Sequence, residues 1–536
     1  MLTRFPLLGA MVMAAALLTG CTGGSTGATG PRAATDADVP LITWAASGPP
    51  RSLDIAHALD TRSELPIVAA FDALLTLDTE GRLQPGLAKS WSSPDPLTYV
   101  YQLRTDVKFW NGTPMTAEDV AYSLARQADP ASGAESALYL PAVKSVDVTG
   151  PAEVTVKLSR PDALFQYVPA IVWFVQQKAY VQTAGKDLGT GQKPGMGTGA
   201  YQVTSFSTDG VHLRRNDGYW GKRPKVAEVD IKVIPDPDAL RLAMQSGAVD
   251  GTFDFPVQRA RQWEQTRGVA TVFPQSPGSM YLSFDITKPP FDDVHVRRAI
   301  AAAVDRQGLL QPAFGGKATL AASMFSGVQL TSTLGREKAD QLTKSVPWQV
   351  FDLAKARAEL AQSAHPQGFT AEVPFTTSQP WAQLTLENLA TNLAPLGIKL
   401  NLKALPDQQW VAQLYAHQNL GMQILRASGG TPYAGEMAGV LYGRKSAGPN
   451  GLNTANFFPD DVQRVLTQLT EPASTDQRAE QLGTLMRATA EQLPYVPLFE
   501  AKTGIAIADR LTFDPPISTD ISLTGNWVSL IRAAAK

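Results

Sequence analysis

The sequence predicts a mixed α/β protein of several domains, and three observations carry that expectation. The chain has 536 residues, too long for one ordinary hydrophobic core and suited to two or three domains. Hydrophobic residues make up 44% and charged residues 18%, the balance of a globular chain rather than a disordered one. Strand-like alternation and capped helical segments follow one another irregularly, with no internal repeat of about 20–50 residues, which disfavours a solenoid or propeller.

The first segment reads as an export signal, expected over 1–20. Arg4 gives a positive start, Leu7 to Leu18 form a short apolar run, and Thr19 and Gly20 are small residues directly before Cys21. The run is shorter than the ~20 residues a transmembrane helix needs, and its flanks are those of a cleaved signal. Cys21 is the one cysteine, so no intramolecular disulfide and no multi-cysteine metal site can form. Leu18-Thr19-Gly20-Cys21 resembles the bacterial lipobox, which implies that the Cys21 thiol is diacylated and becomes the mature N-terminus. The other reading is a simple signal peptide with a chance cysteine. Buried acyl chains stabilise such an anchor by ~0.8 kcal/mol per methylene. The body is therefore expected outside the cytoplasmic membrane, on the cell surface or in the periplasm. Residues 21–40, rich in Gly, Thr, Ser and Ala, are expected to form a flexible tether, having too little apolar surface to order themselves. The folded body is expected from Leu41.

Within the body, Tyr99, Tyr101 and Leu103 alternate with polar or small residues, as do Val154, Val156 and Leu158, and Val229, Ile231 and Val233. Period two predicts half-buried strands. Thr116-Ala117-Glu118-Asp119 supplies an N-cap and first-turn acids before Val120 and Leu124, predicting a helix. Val296, Ile300 and Val304 predict a second, Asp352 opens a third, and Leu386, Leu389, Leu393 and Leu396 stripe a fourth. Asn111-Gly112 suits a positive-φ turn, and Gly197-Thr198-Gly199 a tight turn or close backbone approach.

Charge and motif content exclude several functions. With 47 basic against 49 acidic residues and a net charge of −2, no basic surplus points to nucleic acid. No G-x-S-x-G elbow, G-x-x-x-x-G-K phosphate loop or H-E-x-x-H zinc helix occurs. His57, His212, His295, His365 and His417 are scattered, not at metal-ligand spacing. Neither an enzyme, a cofactor nor a metal is expected.

Several ordered stretches then resemble family 5 of the extracellular solute-binding proteins, which includes dipeptide-, oligopeptide- and nickel-binding proteins. They are Leu87-Ala88-Lys89-Ser90-Trp91 with Tyr101 to Arg104 and Val107 to Val120; Gly197 to Tyr201 with Arg215 to Trp220; Leu242 to Asp250; Pro289 to Arg306; and Leu493 to Leu498. Locally these motifs read as scaffold; together they identify the fold. The resemblance implies a periplasmic-binding-protein-like α/β architecture of the peptide-binding type, with two lobes around a ligand cleft and an additional third domain. It also implies a discontinuous domain I (41–60, 196–272 and 500–536), domain II (61–195) and domain III (273–499). The implied function is capture of a solute, a peptide foremost, by a monomeric lipid-anchored protein that closes by a hinge and delivers it to the permease of an ABC importer. A nickel chelate, an oligosaccharide or a modified peptide is the alternative ligand, and a surface sensor or chaperone the alternative role.

Peptide-binding relatives grip the ligand's amino terminus with an acid in a "WxxD" segment. Here Ala427 occupies the Trp position and Gly430 the Asp position, and Thr376 to Trp381 lacks the arginine that holds the carboxylate in the dipeptide-binding relative. A buried ammonium without a counter-ion costs several kcal/mol, so a free dipeptide held in the relatives' manner is not expected. Arg426 is the candidate partner for a ligand carboxylate, or else a salt-bridge residue. Ser428, Gly429 and Gly430 offer backbone groups to an extended ligand, or form an ordinary turn. Trp381, Trp410, Tyr433 and Tyr139 are candidate cleft aromatics, with core packing as the competing reading.

Overall fold

The structure, a computed structural model, describes residues 32–535 apart from 79–80, 254, 347–349 and 518–524. The signal segment 1–20, Cys21 and the tether to residue 31 lie outside the described residues. Three sheets organise the rest. The first body is a seven-stranded mixed sheet in the order Val269–Val272, Ile505–Ala508, Gly251–Thr252, Val39–Ala46, Val226–Val233, Gly210–Arg215, Tyr201–Ser207. Its central strand Val39–Ala46 runs parallel to both Val226–Val233 and Gly251–Thr252. The second is an antiparallel sheet of Ala88–Asp95, Thr98–Leu103, Glu153–Leu158 and Val143–Gly150. The third joins Ala318–Leu320, Tyr495–Ala501, Gly278–Phe284 and Met422–Ser428, again antiparallel. Each sheet carries its own hydrophobic core, as expected of separate layers.

Local chemistry explains the elements. Val226, Val229 and Ile231 point into the first core while intervening residues stay partly exposed. Gly278–Phe284 is buried at every residue, as a strand flanked on both faces must be. Thr116 caps helix Ala117–Ala128 through a reciprocal capping box with Asp119, and Asp352 caps Leu353–Ala361. Gly112 turns at φ +84° between the preceding loop and that first helix. The helix predicted through Val304 stops at Ala302. Likewise Leu396 falls in a short 3-10 turn after helix Pro380–Leu393, because Pro395 lacks the N–H that the α-helix needs there.

The tether expectation needs one correction. Residues 33–38 are docked rather than free. Ala34 bridges Ala534 and the Thr35 N–H donates to the Ala533 carbonyl. Asp36 pairs with Lys225, and Asp38 with Arg223. A stretch poor in apolar residues is ordered here because the C-terminal strand supplies its backbone partners.

Two adjacent chain crossings link the first and third bodies, residues 273–277 and 502–504, tied by the Thr503 N–H to the Pro274 carbonyl and by a Gln275–Lys502 bridge. A different junction seats helix Thr61–Ala70. Just after it, Asp72 accepts hydrogen bonds from Thr198 Oγ1 (2.9 Å), Tyr219 Oη (2.9 Å) and Trp220 Nε1 (2.8 Å). Arg104 covers the Trp220 ring at 4.7 Å. Burial raises the Asp72 carboxyl, and the three donors oppose that shift. The motif residues Thr198, Tyr219, Trp220 and Arg104 thus converge on one carboxylate. Asp72→Ala would leave three donors without their partner and should lower unfolding stability by roughly 2–4 kcal/mol, read by urea denaturation; Asp72→Asn should cost less.

Candidate ligand cleft

The second and third bodies meet. Tyr167 stacks on Tyr433 with centroids 6.0 Å apart, and the Ala163 N–H donates to the Thr470 carbonyl at 3.0 Å. Gly81, at φ +75°, packs on Ser332 and Pro432. At a second contact the Tyr139 hydroxyl lies directly over Gly430, where a Cβ would overlap it. Gly430 is therefore fixed by a tyrosine from the opposite body.

Beneath that contact sits a carboxylate absent from the sequence expectations. Glu436, in the first turn of helix Ala434–Tyr442, reaches back to the loop before it. It accepts from the Gly430 N–H (3.0 Å), the Thr431 N–H (2.9 Å) and Thr431 Oγ1 (2.6 Å). No cation pairs with it among the described residues. Burial raises its carboxyl despite these three donors. Burial also raises the Tyr139 phenol, reinforced by the negative charges of Glu436 and Glu64. The buried amide Nε2 of Gln329 has no hydrogen-bond partner, and a Cβ on Gly429 would sit 2.9 Å from it and 2.7 Å from Glu436 Oε2. Nearby, Glu500 accepts the Gly327 N–H at 2.9 Å, and burial pushes its carboxyl up to about 7. Acids without a counter-ion among the described residues suit an ammonium.

The remaining predicted residues divide. Arg426 is exposed at the end of Met422–Ser428 and donates through Nη2 to Ser276 Oγ at 3.0 Å, beside the interlobe crossing. It has no acidic partner among the described residues, so the salt-bridge reading is not what the structure displays. Ser428 is exposed next to it. Gly430 is exposed but its N–H is occupied by Glu436, which removes that donor from the set the sequence offered. Tyr433 is buried, donating its hydroxyl to the Leu469 carbonyl at 2.7 Å under the Arg478 guanidinium. Trp381 and Trp410 are placed as core residues. Trp381 stacks on Phe314 in one core of the third body, and Trp410 is buried in the other. Both start or line helices whose apolar faces pack on the sheet, so their rings serve packing.

In the first body, a cavity of about 690 Å³ opens at the C-terminal ends of Val39–Ala46, Val226–Val233 and Gly251–Thr252. Ligands of open α/β sheets settle at such strand ends. Leu65, Leu240 and Phe253 line it with Ser47, Thr252, Arg51 and Arg62. The adjoining Val257 packs into the third body's core, which sets this cavity at the border between the bodies.

The model of the bacterial extracellular solute-binding proteins, family 5, matches residues 82–448. The chain belongs to that family. Among its relatives, the glutathione-binding protein GsiB of Escherichia coli is 26% identical over 471 residues, covering 86% of this chain and 89% of that protein. CtaP of Listeria monocytogenes, an ABC transporter substrate-binding protein, superposes with a TM-score of 0.82 at 18% identity, over 93% of this chain and 100% of that one. DppA of Helicobacter pylori, solved with the peptide STSA, gives 0.73 at 18% identity, over 93% and 99%. The family fold, the peptide-binding class of the periplasmic binding proteins, is the one described above. No helix among the described residues is long and apolar enough to cross a membrane.

The Glu500 carboxyl provides a check on this family member's third body. Its folded value of about 7 lies above the usual carboxylate range, so the folded state holds the proton more tightly than the unfolded chain. Stability from this group is full below about pH 4 and is lost as pH rises to 7. Glu500→Gln should be more stable than the parent above pH 7, by up to about 3 kcal/mol, with the gap closing near pH 4 in thermal melts.

Proposed function

We propose that this chain is the substrate-binding lipoprotein of an ABC import system, acylated at Cys21, which captures a short peptide between its lobes and delivers it to the permease. The single observation that carries the peptide reading is charge of both signs without an opposite charge beside it: among the described residues Glu436 has no cation and Arg426 has no acid. A peptide's amino terminus and a ligand carboxylate answer those two charges. Relatives that bind glutathione or a tetrapeptide support the same class. Two adjacent crossings between the first and third bodies suit closure on a ligand by a hinge, and closure is the signal a permease reads.

The deciding experiment is native mass spectrometry of the full chain purified from its own host membranes. Peptides of mixed sequence and similar length are expected to co-purify, on a protein whose mass carries a diacylglyceryl group at Cys21. One recurring non-peptidic mass would replace the peptide reading, and an unmodified Cys21 would end the lipoprotein one. Charge contacts are tested by calorimetry. Glu436→Gln should weaken tri-alanine binding by about tenfold or more while leaving the N-acetylated peptide unaffected. Arg426→Ala should weaken a carboxylate-bearing ligand with little loss of folding. Unchanged affinities would remove these residues from the site.

A further inference from the structure

The cavity at the strand ends carries an arginine, Arg62, that the two charges above do not use. Four charged groups bear on it. Arg51 is answered by Glu135 at 2.6 Å and Asp60 at 3.6 Å. Asp60 is further engaged as the N-cap of helix Thr61–Ala70, accepting from the N–H groups of Arg62 and Ser63 and from Ser63 Oγ. That leaves Arg62. Its guanidinium is exposed into the cavity, with no side-chain hydrogen bond and no acidic partner among the described residues. Its position is nonetheless built. The guanidinium lies against Gly48, where a Cβ would stand 2.9 Å from Nη1 and 3.0 Å from both Cζ and Nε. A glycine in the turn after the central strand thus makes the seat, and Leu65, Leu240 and Phe253 supply low-polarity walls around it.

An arginine seated against Gly48 at the edge of a mixed polar and apolar cavity, offering a fork of donors, matches a carboxylate in a bidentate geometry. Arg426 lies elsewhere, beside Ser276 on the third body, and is not part of this cavity's lining. The two arginines are separate centres, so one ligand carboxylate does not serve both. We propose that Arg62 is a specificity-determining residue that receives an acidic side chain of the ligand, making the preferred solute a short acidic peptide carrying one anionic group beyond its terminal carboxylate. This rests on the peptide reading above and narrows it to a substrate class.

The test uses three tri-alanine-based peptides with glutamate at the first, second or third position, and the three matching glutamine peptides, titrated into the mature protein by calorimetry. Glutamine keeps the shape and removes the charge, so the glutamate-to-glutamine ratio isolates the contact. At one position the parent should prefer glutamate by about tenfold or more, the scale of a charge-assisted hydrogen bond. Arg62→Gln should abolish that preference while its affinity for the glutamine peptide stays that of the parent. Gly48→Ala should reduce the preference with Arg62 intact, because only the tip of a flexible side chain has to shift. Thermal melts of both variants should match the parent, since Arg62 is exposed and makes no side-chain bond among the described residues. If the parent binds these peptides without preferring glutamate at any position, or if the preference survives in Arg62→Gln, the acidic-peptide assignment is wrong and the peptide reading stands. If none of the six peptides binds, both are wrong.

Discussion

The whole cleft depends on how closely helix Thr61–Ala70 approaches the loop at Gly197 to Gly199. A Cβ on either glycine would overlap the Ala70 carbonyl, so the backbones touch there without side chains between them. Directly after the helix, Asp72 collects three side-chain donors from distant parts of the chain. The steric permission and the carboxylate act together. One allows the approach, and the other fixes its register, because a partly buried carboxylate tolerates loss of its donors poorly. At its other end the same helix begins with Arg62 and Glu64, and its fifth residue accepts the Trp527 indole N–H through the Leu65 carbonyl. Any rotation of this helix would move the cavity charge and the acid beside Tyr139 at once.

With that frame rigid, the distribution of charge becomes informative. Structural ion pairs in this molecule are closed: Asp54 and Arg126 meet through two bonds of 2.7 and 2.6 Å, and Arg223 grips Asp38 in the same way. At Glu436 and Arg426 the pattern changes to charges without an opposite partner among the described residues. Leaving a recessed charge unpaired is costly, and the upward shifts of Glu436 and Glu500 register that cost. A solute that supplies the missing charges stabilises the closed arrangement more than the open one, and a difference of that kind is what drives a hinge.

The fold was largely legible because its signals are local. The alternation through Tyr99, Tyr101 and Leu103, the capping box at Thr116 and the turn at Gly112 each involve residues a few positions apart. The docked segment 33–38 was not legible, since its order comes from a strand at the opposite end of the chain. The site was legible only in part. Arg426 and the glycines after it could be singled out, but the partner that fixes Gly430 is Tyr139, and composition and spacing carry no trace of that pairing. Trp381 and Trp410 carried two readings in the sequence, cleft and core, and both are placed in cores. A large ring in a segment next to a cleft has the same sequence signature whether it turns toward ligand or toward Phe314.

Glycine at position 430 marks a relocation of charge rather than its loss. In peptide-binding relatives the resemblance puts an acid there, and the sequence alone makes its absence look like an uncharged site. Here that volume is filled by the Tyr139 hydroxyl from the opposite body, so no side chain fits. The acid that serves the loop comes from Glu436, one helical turn further on, with its oxygens drawn back to the Gly430 and Thr431 N–H groups. The signal available in the sequence was the threonine at 431 followed five residues later by a carboxylate at a helix start, a spacing that lets the side chain fold back onto the loop. A carboxylate held by three donors is fixed in direction, unlike one on a free loop. The Tyr139 hydroxyl lies over the same glycine whose N–H the acid holds, so phenol and carboxylate meet at one loop.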